Sequence, residues 1–195
     1  MKRFVPLAAV FALVAIAAQA QQSNPRGTAS ATVGGKNVAI DYGRPSLKGR
    51  SMDELLKQLP EDRIWRAGEN QVTTLTTEGD ILIGGKKVTA GKYSLYVHAP
   101  AQGDWSIAIN SDLGIPLSKL WDKAPDNVKN EPWPHLEGYE KNIAAKEVAR
   151  APMKSGTATA ATETFTIDMK PAGSGATMVL SWGDRTWSID VQPAK

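Results

Sequence analysis

Beyond residue 28 the chain alternates apolar and polar residues with the period of two that belongs to β-strands. Ala31 and Val33 precede Gly34-Gly35, and Val38, Ile40 and Tyr42 follow it with Asn37, Ala39 and Asp41 between, which predicts a hairpin about the glycine pair. The rhythm returns over 72–77, 80–83, 87–88, 92–98 and 105–110, with turns at Gly84-Gly85 and Ala90-Gly91. It resumes over 147–151, 164–169, 178–182 and 187–191, the last two separated by a turn expected at Gly183-Asp184-Arg185. The Ala/Thr run 157–162 reads as a strand approach or a soft loop. One helical pattern interrupts the series: Met52, Leu55, Leu56 and Leu59 follow Ser51, Glu54 completes a capping box, and Pro60 is the stop.

Residues 113–142 break the rhythm with Pro116, Pro125, Pro132 and Pro134, and carry Trp121, Trp133 and Tyr139. That stretch is long for a connection inside a domain, and it serves either as a binding loop or as a lid over the sheet. The elements together predict an all-β fold. It takes the form of a single β-sandwich or jelly-roll-like domain over 29–195, with one short helix and one long Pro/Trp-rich loop.

The first residues have another character. Lys2 and Arg3 precede an apolar run over 4–17 and the small-residue triplet Ala18-Gln19-Ala20, which predicts a signal peptide over 1–20 cleaved near Ala20 and a flexible lead-in over 21–28. The expected destination is periplasmic or extracellular. The run falls short of the ~20 apolar residues of a spanning helix, so no membrane span is expected in the mature form. Loss of Lys2 and Arg3 lowers the formal charge from +3 to +1, which leaves no electrostatic case for nucleic acid. With no cysteine, disulfides, thiolate metal sites and cysteine nucleophiles are excluded.

Three segments recur together in one known family: Tyr42-Gly43-Arg44-Pro45-Ser46-Leu47-Lys48-Gly49-Arg50, Ile64-Trp65-Arg66-Ala67-Gly68-Glu69-Asn70-Gln71-Val72-Thr73-Thr74, and Ile83-Gly84-Gly85-Lys86-Lys87-Val88-Thr89-Ala90-Gly91-Lys92-Tyr93-Ser94-Leu95. Over about 28–170 the chain resembles the DUF2911 family of secreted bacterial proteins, a domain of unknown function. The resemblance implies an exported β-rich domain and no assigned activity. Where the family pattern reads Ala-Asn-Glu this chain has Glu69-Asn70-Gln71, so the acidic residue precedes the asparagine instead of following it.

Candidate ligand-binding residues are Tyr42, Arg44, Trp65, Arg66, Glu69 and Asn70, with Trp133 from the Pro-rich stretch. Two loops that each set an arginine beside an aromatic suit a carboxylate, a sulfate or a sugar. The plainer reading pairs Arg44 and Arg66 with Glu69 or Asp41 to tie loops to the sheet. His98 and His135, the two histidines, lack metal-ligand spacing, so no metal or cofactor is expected. No G-x-S-x-G is present, and the Gly-Gly-Lys turns do not fit a phosphate loop. Catalytic residues are not identifiable from this pattern. The leading reading is a non-catalytic binding module for a saccharide, peptide or other cell-envelope component, the partner being a small molecule, glycan or envelope protein. The alternatives are an extracytoplasmic hydrolase using Glu69 or Asp41 with Arg44 or Arg66, and a structural or assembly partner.

Overall fold

The hairpin expected about Gly34-Gly35 forms between β1 (Arg26–Val33) and β2 (Lys36–Gly43). Both glycines adopt the left-handed backbone that a two-residue turn demands, at φ 57° and 79°. The computed structural model describes residues 25–135 and 138–195, so the leader expected over 1–20 and residues 21–24 of the lead-in lie outside it. The first strand starts at Arg26, earlier than alternation indicates, because Arg26 pairs in register with Gly43 and its guanidinium grips Asp41.

Ser51 caps α1 (Met52–Leu56) as its sequence predicts, with the Glu54 amide donating to Ser51 Oγ at 3.2 Å and the Ser51 amide to Glu54 Oε2 at 2.7 Å. Next come β3 (Ile64–Trp65), β4 (Thr74–Thr77), β5 (Ile81–Ile83), β6 (Lys86–Val88), β7 (Gly91–His98) and β8 (Ser106–Asn110). The Pro-rich stretch holds a two-stranded ribbon of β9 (Ile115–Pro116) and β10 (Pro132–Trp133), and a second, one-turn helix α2 (Tyr139–Asn142) that the periodicity did not indicate. The chain ends in β11 (Glu147–Pro152), β12 (Lys154–Ala172) and β13 (Gly175–Pro193).

Among the described residues all strand pairings are antiparallel. One sheet runs β1-β2-β4-β7-β8-β11 with β3 also alongside β7, and the other runs β12-β13-β5-β6. Ile40, Leu75, Leu95 and Ile107 from the first sheet meet Ile83, Phe165, Met178 and Leu180 from the second in one shared core. The all-β expectation holds.

The turn expected at Gly183-Asp184-Arg185 does not exist: β13 runs straight through it. Thr157 pairs with Arg185 and Thr162 with Gly183, so the Ala/Thr run of β12 carries extra residues and the irregularity is a bulge. Glycine marks the site for a packing reason as well, since a Cβ on Gly183 would come within 2.7 Å of Met52 Cγ on α1.

The Pro-rich stretch folds down over the outer face of the first sheet. Tyr139 and Ile143 bury Ile64, Tyr96 and Ala108 in a second, smaller core, so β7 and β8 are covered on both faces. Asn110, fully buried, anchors this cover: its Nδ2 donates to Tyr139 Oη at 3.0 Å and Ile143 O at 2.7 Å, and its Oδ1 accepts from the Asp112 amide at 2.8 Å. Asp62 Oδ2 accepts from the Tyr139 amide at 3.0 Å, where α2 begins. Trp121 stays at the surface, 49% exposed. Among the described residues no helix is long and apolar enough to cross a membrane.

Across the main core, Tyr42 Oη accepts from the Ile167 amide at 2.9 Å and donates to Ile167 O at 3.2 Å, joining the two sheets. Replacing it strands a buried amide and carbonyl. Tyr42→Phe is therefore expected to lose about 1–3 kcal/mol in urea unfolding; an unchanged midpoint would refute this bridging role.

Candidate functional site

The site begins with a close backbone contact. A Cβ on Gly43 would lie 2.0 Å from Glu69 O, and one on Gly68 would lie 2.6 Å from Thr73 Oγ1, so glycine at both positions lets the chain after β3 pack directly on the end of β2. Thr73 Oγ1 donates to Ala67 O at 2.9 Å and closes the loop. Ala67 and Asn70 sit in the left-handed region at φ 48° and 62°, unusual for alanine and well tolerated by asparagine. The loop spans the gap between β3 and β4, which lie end to end along β7. In that register Trp65 pairs with Val97, and the next residue, Arg66, lies beside Tyr96.

Two hollows meet at this point, and both are lined by Gln58, Leu59, Trp65 and Arg66. The first, about 250 Å³, lies between α1 and the ends of the sheets and is walled by Met52, Leu55, Leu56, Trp105, Trp182 and Trp187. Its indoles are locked in pairs: Trp65 stacks on Trp182 at 5.2 Å and 20°, and Trp105 on Trp187 at 4.2 Å and 11°. The buried Trp182 Nε1 has no hydrogen-bond partner among the described residues. The second hollow, about 380 Å³, is lined by Arg66, Tyr96, Pro134, His135 and Tyr139.

Tyr96 is 5% exposed, and its hydroxyl also lacks a hydrogen-bond partner among the described residues. Burial pushes the phenol up to about 12, with nearby Ser94 and Arg66 acting against the rise, so it stays protonated and able to donate. Ser94 spends its own proton on Asp112 O at 2.6 Å. Burial lowers the Arg66 pKa from its ordinary value, partly offset by the charge of Glu69, yet a guanidinium keeps its proton. Among the described residues the ion pairs engage Arg26, Lys87, Lys129, His135, Lys146, Arg150 and Arg185, and Arg66 joins none of them.

The other candidates named from sequence disperse. Tyr42 is a core residue bonded to Ile167, and Arg44 packs over Gly27, its buried Nε unpartnered and outside both hollows. Asp41 is held by Arg26, Glu69 interacts with Arg66, and Asn70 shapes the loop. Trp133 forms the ribbon with Ile115 and lines neither hollow. Trp65 and Arg66 alone of that set line the cleft. Sequence reasoning missed Tyr96, whose one available signal was an aromatic on the otherwise polar face of β7. It also left Trp105, Trp182 and Trp187 out of the candidate residues, since their strand positions suit sheet packing.

Beside the cleft, Asp112 Oδ1 accepts from the Gly114 amide at 2.8 Å, its Oδ2 meets Lys146 Nζ at 2.7 Å, and His135 Nε2 stands 3.3 Å away without hydrogen-bond alignment. Burial acts to raise the Asp112 pKa, but the Lys146 and Gly114 bonds outweigh it and hold the carboxyl below its ordinary 3.8. A group whose folded pKa is depressed stabilises the fold above its unfolded value, and that contribution disappears as pH falls through the folded value. Asp112→Asn should thus cost about 1 kcal/mol of stability near neutral pH, and the gap from the parent should close as pH falls through the lowered pKa of Asp112. A gap independent of pH in urea unfolding would contradict this.

No curated protein and no solved structure matches the chain. The model of a family described as a protein of unknown function, DUF2911, matches residues 24–191, nearly the whole span whose fold has just been described, and the chain therefore belongs to the DUF2911 family.

Proposed function

We propose that this chain is a non-catalytic binding domain of an exported protein, taking a small, largely apolar molecule in the cleft between α1 and the sheet ends. The observation that carries the reading is the hollow walled by four indoles and the α1 side chains, with a buried Trp182 Nε1 left to be satisfied. Hollows of about 250 and 380 Å³ that share one rim, the first walled largely by apolar side chains, together have the size of a small-molecule site. An apolar body suits these walls better than a glycan, because Trp65 and Trp182 already spend a ring face on each other and Met52, Leu55 and Leu56 offer nothing to hydroxyls. The carboxylates first considered for hydrolysis favour binding over catalysis, since neither Asp41 nor Glu69 lines either hollow.

A hydrolase is the second reading, supported by His135 and Asp112 standing 3.3 Å apart at the cleft. Against it, Asp112 is already committed to Lys146 and Gly114.

The test is titration of the protein with neutral phenylnaphthylamine, read by the dye's emission on excitation of the indoles. The parent is expected to bind at micromolar concentration, and Leu56→Trp, which fills the hollow, to weaken binding about tenfold or more. No binding by the parent, or equal binding by the variant, would sink the reading. Turnover of p-nitrophenyl octanoate that is lost in His135→Asn would replace it with the hydrolase.

A further inference from the structure

Among the described residues that line it, the cleft presents hydrogen-bond donors. Arg66, at the rim shared by the two hollows, has only N–H groups to offer; Trp182 Nε1 in the apolar hollow is a donor alone; and the Tyr96 hydroxyl in the polar hollow, buried and without a hydrogen-bond partner among the described residues, keeps its proton. Two carboxylates stand nearby: Asp112 is paired with Lys146 and spends an oxygen on the Gly114 amide, and Glu69, whose charge acts on Arg66, lines neither hollow. A site built this way is complementary to a ligand that supplies acceptors and negative charge at one end. Its apolar remainder can lie along Trp105, Trp182 and Trp187.

Resting on the binding reading above, we infer that the ligand is an amphipathic carboxylate, its head group held by Arg66 and Tyr96 and its apolar body in the indole-walled hollow. The arginine fork matches the two oxygens of a carboxylate, and charge-assisted hydrogen bonds are strong where water is excluded. Arg66 reaches this position on the loop clamped by Gly43 and Gly68, so the fork is placed before the ligand arrives. Trp182 Nε1 adds one more donor for an acceptor along the body of the ligand.

The test displaces phenylnaphthylamine from the full chain with three probes of one length: octanoate, octanol and octylamine. Octanoate is expected to compete at a concentration about tenfold or more below octanol, with octylamine weakest. Arg66→Met should remove the preference for octanoate over octanol, and Arg66→Lys, which keeps the charge without the fork, should retain part of it. Tyr96→Phe should weaken octanoate several-fold more than it weakens octanol. Melting temperatures and dye affinity of each variant verify that the fold and the apolar hollow are intact. If octanoate and octanol compete equally in the parent, or if octylamine is preferred, the head-group assignment is wrong while the binding reading stands. A preference that persists in Arg66→Met overturns the role given to that residue. If the parent binds neither the dye nor any of the three probes, the binding reading itself fails and the inference falls with it.

Discussion

The contact between Gly43 at the end of β2 and the backbone at Glu69 is the constraint on which the cleft depends. Two backbones touch where any side chain would hold them apart, and the chain between β3 and β4 is thereby pinned to the sheet. The loop after β3 takes its position from that contact. Trp65, held in β3 by its pairing with β7, meets Trp182 and Phe165, and Arg66 follows it beside Tyr96. Left-handed Ala67 and Asn70 show that the loop holds a shape its own residues do not all favour, which persists because the surroundings over-determine it.

A second dependence follows from the double burial of β7 and β8. A strand covered on both faces must satisfy its polar side chains without water, and Asn110 does so by accepting from Asp112 and donating to Tyr139 and Ile143. Tyr96, in the same layer, differs: among the described residues its hydroxyl has no hydrogen-bond partner where the cover opens into the cleft. The contrast between the satisfied asparagine and the unsatisfied tyrosine separates the structural part of this face from the part that can receive a ligand. Burial then has opposite consequences for Tyr96 and Arg66. It holds the phenol protonated, and it leaves the guanidinium charged in a setting where its attraction for an anion is poorly screened.

Much of the fold was legible along the chain. The Gly34-Gly35 and Gly84-Gly85 hairpins, the Ser51–Glu54 capping box and the alternation of β2, β7 and β8 are local patterns, and local patterns survive folding because turn geometry and period depend on neighbouring residues. The errors were local as well. Gly183 read as a turn and is a bulge, since glycine signals a backbone exception without saying which one. The Pro/Trp-rich stretch reads from sequence as either lid or binding loop; in the fold Tyr139, with the following Ile143, covers the sheet while Pro134 and His135 border the cleft.

The sequence by itself determined the all-β class, the hairpins, the capped helix and the exclusion of cysteine chemistry. Tertiary structure alone decided that Arg44 and Tyr42 lie away from the cleft that Trp65 and Arg66 line, that Tyr96 lies beside Arg66, and that Trp105, Trp182 and Trp187 wall the hollow. The reason is range. Periodicity and turn chemistry act over a few residues, whereas the cleft joins positions from 52 to 187, and which of them meet depends on strand order and on a contact between two glycine-containing loops that no local pattern encodes.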